Sequence, residues 1–127
     1  MKTFSASAGE GRFSVTCELR STDGNGLACF VYGGELPHVG GHALASPGPK
    51  LHGEQLSRCD VWTATVPGHK DAEAAAAVAR LVCLATGEAV SCAAGIHVDH
   101  ASPEQIKILL ANITTAAQAA VDAYRSS

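Results

Sequence analysis

The sequence predicts an α+β two-layer sandwich, a mostly antiparallel sheet with two helices packed on one face. Three observations carry that expectation. From Arg12 to Arg20, apolar Phe13, Val15, Cys17 and Leu19 alternate with polar Ser14, Thr16 and Glu18, the pattern of a strand with one buried face. From Asp71 the apolar period changes to that of a helix. At Ser102-Pro103-Glu104-Gln105 a second helix start is written into the chain: Ser as cap, Pro at the first helical position and Gln at the third as a capping box.

The elements follow in order. After the first strand, Ser21 to Gly26 is rich in turn formers, and Leu27 to Tyr32 reads as the second arm of a hairpin. Beyond a glycine loop, Ala43 to Ser46 forms a short strand, broken by Ser46-Pro47-Gly48-Pro49-Lys50 and a connection running to about Gln55. Cys59 to Val66 is the next strand, ended by Pro67-Gly68. Asp71 to Thr86 is an alanine-rich helix with Val78, Leu81, Val82 and Ala85 on one face and Gly87 as its C-terminal cap. Its small side chains predict a helix lying close on a sheet. Ala89 to Ile96, apolar on both faces, is expected to be a central strand. The last helix runs to about Tyr124, with Ile106, Leu109, Leu110, Ile113, Ala117 and Val121 as its apolar stripe. Trp62, Tyr32 and Phe30 are expected in the core. With both helices on one face, the other face of the sheet needs cover, which a homodimer supplies.

At 127 residues the chain is expected to be a single domain, residues 1–127, large enough to bury a core without disulfides. A net charge of −3 without a Lys/Arg cluster argues against a nucleic-acid surface. The start of the chain lacks a signal-like apolar core and no run approaches a membrane span, so a cytoplasmic protein is expected. Cys17, Cys29, Cys59, Cys83 and Cys92 are odd in number, widely spaced and without a C-x-x-C pair, which reads as reduced thiols packed as small hydrophobes.

Chemistry is concentrated in three glycine- and histidine-bearing clusters, which hold five of the six histidines. The first is Gly33-Gly34-Glu35-Leu36-Pro37-His38-Val39-Gly40-Gly41-His42, where glycine permits close approach to the main chain and Pro37 stiffens the turn that carries His38. The second, Gly68-His69-Lys70-Asp71, opens a helix, so free N–H groups and a lysine offer a phosphate or carboxylate site; equally, Asp71 caps the helix with Lys70 in solvent. The third is Gly95-Ile96-His97-Val98-Asp99-His100, whose His97 and Asp99 alternate with Ile96 and Val98 and point to one side. They form either a pair of metal ligands, a base with its orienting acid, or a structural cap. Each cluster lies where an apolar segment ends, so one fold can gather all three at a common edge. No Walker loop, dinucleotide fingerprint, G-x-S-x-G or H-E-x-x-H is present.

Together, the GG-x-x-PH-x-G loop (Gly33, Gly34, Pro37, His38, Gly40), the PGHKD helix start (Pro67 to Asp71) and the GIHVD strand end (Gly95 to Asp99) resemble the prenylated-flavin chaperone family, the small D subunits encoded with gallate-type decarboxylases. The resemblance implies a dimeric fold related to the small proteasome assembly chaperones. It also implies a non-catalytic accessory role: binding prenylated FMN, or FMN, and delivering or maturing the cofactor for a UbiD-type decarboxylase. On this reading Gly33, Gly34, Pro37, His38, Gly40, Gly68, His69, Lys70 and Asp71 contact the cofactor, with its phosphate at the Gly68 helix start and its ring toward the glycine loop. His38, His97 and Asp99 would bind a divalent ion, for which imidazole and carboxylate donors without thiolate suit Mn, Fe, Ni or Zn. Two other readings stand beside this one: a small divalent-metal enzyme acting on a phosphorylated or carboxylated substrate, and an assembly chaperone with no small-molecule ligand.

Overall fold

A computed structural model describes residues 1–49 and 58–127. Its alternating segments pair as β1 (Thr3–Ala8), β2 (Val15–Ser21), β3 (Leu27–Gly34), β4 (Gly41–Pro47), β5 (Cys59–Thr65) and β6 (Val90–His97), with helices α1 (Asp71–Thr86) and α2 (Pro103–Arg125). One six-stranded sheet results, in the order β1-β2-β3-β6-β4-β5. Every pairing is antiparallel except β3 with β6. The part of the predicted connection from Lys50 to about Gln55, with His52, lies outside the described residues.

This topology gathers the three clusters. β6 enters between β3 and β4 and runs parallel to β3, so the last residues of both strands, Gly34 and His97, lie side by side. β4 starts at that same end, where Gly41 pairs with Thr65 at the end of β5, and α1 begins a turn later. The helix start, the glycine loop and the end of β6 therefore meet at one end of the sheet.

The core lies between one sheet face and the two helices. Val15, Cys17 and Leu19 of β2, Cys29 and Val31 of β3, Ala43 and Ala45 of β4, and Val90, Cys92 and Ala94 of β6 meet Ala75, Val78, Ala79 and Val82 of α1 and Ile113, Ala117 and Val121 of α2. Alanine faces alanine between α1 and β4, which lets the helix lie close. A Cβ on Gly41 would collide with the backbone of Ala72. α2 carries the expected capping box: Ser102 Oγ accepts from Gln105 N at 3.2 Å and the Gln105 side chain accepts from Ser102 N at 2.9 Å. Gly87, at φ 73°, closes α1 by donating to Cys83 O. The cysteines pack as small hydrophobes: Cys17 and Cys29 lie Sγ to Sγ at 3.7 Å in the core, and burial pushes the Cys83 thiol up to about 11.

Four features differ from expectation. β1 is an added edge strand: Phe4, Ala6 and Ala8 alternate with Thr3, Ser5 and Ser7, a pattern weak in hydrophobicity that gains its stability from pairing with β2. The strand predicted from Arg12 starts at Val15, because Gly11–Phe13 closes a short 3-10 turn with Gly11 at positive φ. Phe30, Tyr32 and Trp62 lie on the sheet face opposite the helices, outside the core, with Trp62 57% exposed beside Leu44. Their registers place them one residue out of phase with the buried positions, and a one-residue step along a strand reverses the face. On α2, finally, Ile106 and Leu110 stay 47% and 54% exposed, because the sheet-facing stripe is carried by Leu109, Ile113, Ala116, Ala117, Ala120 and Val121. No helix among the described residues is long and apolar enough to cross a membrane.

Candidate functional site: a histidine-aspartate cavity at the end of the sheet

Pro67 and Gly68 build the turn that enters α1. His69 N donates to Val66 O at 3.0 Å and Gly68 sits at φ 83°, the turn that takes proline second and a positive-φ glycine third. Lys70 occupies the cap position of α1, and no side chain caps the helix there. Asp71 is thus the first helical residue and its carboxylate is released for another task. Oδ1 accepts from Ile96 N at 3.0 Å, tying the helix start to β6. Oδ2 lies 2.9 Å from His38 Nε2 and 3.5 Å from His69 Nδ1, on a side chain only 10% exposed.

His38 is held from both sides. Its Nδ1 donates to Leu36 O at 2.8 Å, within its own loop, while Nε2 faces Asp71. With both ring nitrogens opposite oxygens, the doubly protonated imidazolium fits the site. The Leu36 carbonyl first, and the Asp71 carboxylate after it, raise the His38 pKa above 6.5 against the opposing effect of desolvation. The His38 and His69 rings lie 5.0 Å apart.

The loop glycines make this assembly sterically possible. His38 crosses directly over Gly95 of β6, where any Cβ would overlap the His38 carbonyl. A Cβ at Gly40 would enter the Asp71 carboxylate, one at Gly34 the His97 carbonyl, and one at Gly33 the backbone of Ser14 and Val15. The space beside Gly33, Gly34 and Gly40 is thus filled by the protein's own atoms, whereas Gly68 has open space where a Cβ would stand. Pro37 is exposed on the loop.

His97 and Asp99 point to one side as their alternation predicts, and His97 Nε2 lies 2.7 Å from Asp99 Oδ1. That bond, chiefly, holds the Asp99 carboxyl below its usual range. Asp99 N donates to Glu35 Oε1 at 2.9 Å, and Arg12 Nη2 reaches Asp99 O at 3.3 Å, so the pair anchors the strand end to the glycine loop. The ligand-type side chains whose donor atoms come within 4.8 Å of one another, among the described residues, are His38, His69 and Asp71. The expected set of His38, His97 and Asp99 is thus distributed differently: His38 turns to Asp71 and His69, and His97 to Asp99. His69 and Asp71 are likewise two residues apart, but at the turn into α1, where strand alternation does not apply and the sequence offered no equivalent signal. His42 belongs to the opposite face, where Nε2 meets Ser91 Oγ at 2.9 Å.

His38, Gly68, His69, Lys70, Asp71, Ile96 and His97 line one cavity of about 250 Å³. It brings together side chains from all three clusters. The fold and this site define a small α+β protein of proteasome-assembly-chaperone architecture with a histidine-aspartate cavity at one end of its sheet. A solved structure, titled as a novel chaperone complex for yeast 20S proteasome assembly, matches with a TM-score of 0.50 at 11% identity, over 91% of this chain and 98% of the other. That likeness shows a shared fold. No curated protein matches the chain. Residues 9–125 match the family of the prenylated flavin chaperone LpdD-like domain, and the chain belongs to that family.

The geometry of His38 sets a pH dependence. A histidine whose folded pKa is raised contributes stability in full below its unfolded value of 6.5, and that contribution is lost as pH rises through the folded value. The stability difference between the parent protein and His38→Ala should shrink when denaturant midpoints are compared from about pH 6 to about pH 9. A difference constant over that window would remove the imidazolium.

Proposed function

We propose that this protein is a non-catalytic carrier of prenylated FMN that delivers the cofactor to, or matures it for, a UbiD-type decarboxylase in the cytoplasm. The observation that carries the reading is the convergence of all three clusters on one cavity, in a chain of the prenylated flavin chaperone family. An uncapped helix start, the open space at Gly68 and the Lys70 ammonium suit a phosphate, since N–H groups at a helix start and a nearby cation both favour an anion. Lys70→Ala should weaken FMN and prenylated FMN about tenfold, a loss of ~1.4 kcal/mol, with little effect on phosphate-free riboflavin, as read by flavin fluorescence titration. Equal losses for all three would place the phosphate elsewhere. A parent protein that binds none of them would leave the assembly-chaperone reading as the better one.

A divalent ion fits the same cavity. His38, His69 and Asp71 would hold it, the ion taking the place of the proton between His38 and Asp71: the Leu36 carbonyl fixes the His38 ring with Nε2 inward, and Ile96 N fixes the Asp71 carboxylate with Oδ2 toward both imidazoles. Such outer hydrogen bonds orient metal ligands, and the donor set suits Mn, Fe, Ni or Zn. The ion would supply a positive centre beside the flavin's polar groups. His69→Ala should lower the bound metal measured by elemental analysis of protein purified without chelators, and His97→Ala should lower it less. Parent protein free of metal after such purification would count against the ion.

The sheet face opposite the helices is the surface on which the protein pairs with a second copy. Trp62 and Leu44 are cross-strand partners there, and Phe30 stacks on Tyr32 with ring centroids 4.6 Å apart. These large apolar side chains are costly to leave in water on a monomer. Light scattering at micromolar concentration should give about twice the chain mass, and Trp62→Glu should shift it toward the monomer.

A further inference from the structure

A second cavity of about 350 Å³ opens between α1, the end of β6 and the first half of α2, and its wall is made mainly of Ile96, Val98, Ile106, Leu109, Leu110 and Ile113. It shares Lys70, Asp71, Ile96 and His97 with the histidine-aspartate cavity, so the two adjoin, one lined by histidines, Lys70 and Asp71 and the other mainly by hydrocarbon. Ile106 and Leu110 belong to the apolar sequence pattern of α2, yet they stand about half exposed along this second cavity instead of in the core. Resting on the flavin reading above, we infer that the α1–α2 cleft is the seat of the ligand's hydrocarbon portion, the methylated and prenylated side of the ring, while its anionic end lies at Gly68-Lys70.

The inference directs the ring away from the glycine loop. The space beside Gly33, Gly34 and Gly40 where side chains would stand is taken by Ser14, His97 and Asp71. The cleft has walls of the right chemistry. Ligand pockets for molecules of this size run from ~300 to ~1,000 Å³ and are mainly apolar with a few placed polar groups. The cleft, at about 350 Å³, falls within that range, and the polar cavity of about 250 Å³ adjoins it. The class of ligand is thus an amphiphilic anion whose hydrocarbon body is longer than a phosphate and sugar alone.

Leu110→Gln and Ile106→Gln test this, since both side chains are exposed enough for the variants to fold. Ile108→Gln is the control, an exposed α2 residue outside the cleft wall. In fluorescence titrations with purified prenylated FMN, each cleft variant should bind about tenfold more weakly than the parent, the loss expected for one unburied aliphatic side chain. Inorganic phosphate should compete at unchanged affinity, and Ile108→Gln should bind like the parent. If the parent binds prenylated FMN and the cleft variants bind it equally well, the cleft is not the ring site, while the carrier reading survives. If the parent binds no flavin, both fall. A cleft variant that changes the oligomeric mass and leaves flavin affinity intact would make the cleft a protein interface, and overturn the inference.

Discussion

The Asp71 carboxylate is the constraint on which the site depends. One oxygen takes the amide hydrogen of Ile96, the other faces His38 and His69, and so a single side chain joins the helix start, the central strand, the glycine loop and the turn before the helix. Hydrogen bonds to an ionised carboxylate are among the stronger ones in proteins, and a largely buried carboxylate deprived of them is costly. The absence of a side-chain cap on α1 follows directly, because Asp71 sits one position too late to cap the helix and is engaged elsewhere.

Close packing explains the residue types around that carboxylate. Gly95 lets the His38 backbone cross the central strand, Gly40 admits the carboxylate itself, and Gly41 lets the first turn of α1 rest on β4. Alanines at 43, 45, 75 and 79 continue the same close approach deeper in the core. The helix is brought near enough to β6 for Asp71 to reach Ile96 N, and the cavity is the space left over at the open end of this contact.

The molecule is therefore asymmetric in two directions. Across the sheet, one face is buried by helices and the other shows aromatic and aliphatic side chains. Along the strands, one end carries His38, His69, His97, Lys70 and the apolar cleft, while at the other Glu88 accepts from Tyr124 Oη and from Gly26 N, the latter at 3.0 Å. The cavity and the aromatic face are separate surfaces, because the cavity lies at the helix start and Trp62 and Leu44 on the opposite face.

How much of this was legible in the sequence follows from the range of the interactions involved. The capping box at Ser102, the Gly87 stop and the Asp71–Thr86 helix depend on residues within a few positions of one another, and so could be read directly. So could the placement of His97 and Asp99 on one side, a property of one strand end. The sharing of Asp71 between His38 and His69 could not, because it depends on β6 entering between β3 and β4, a pairing that joins residues far apart in the chain. The same holds for the loop glycines, whose purpose shows only when the atoms filling their Cβ positions are known, and for Ile106 and Leu110, which have the period of a core stripe but meet no sheet. The sequence by itself determined most of the elements, the caps at Ser102 and Gly87 and the kinds of side chain available for chemistry, since these are local; tertiary structure decided the edge strand β1, the fate of Asp71 and which side chains face one another, since strand pairing and helix docking set those distances.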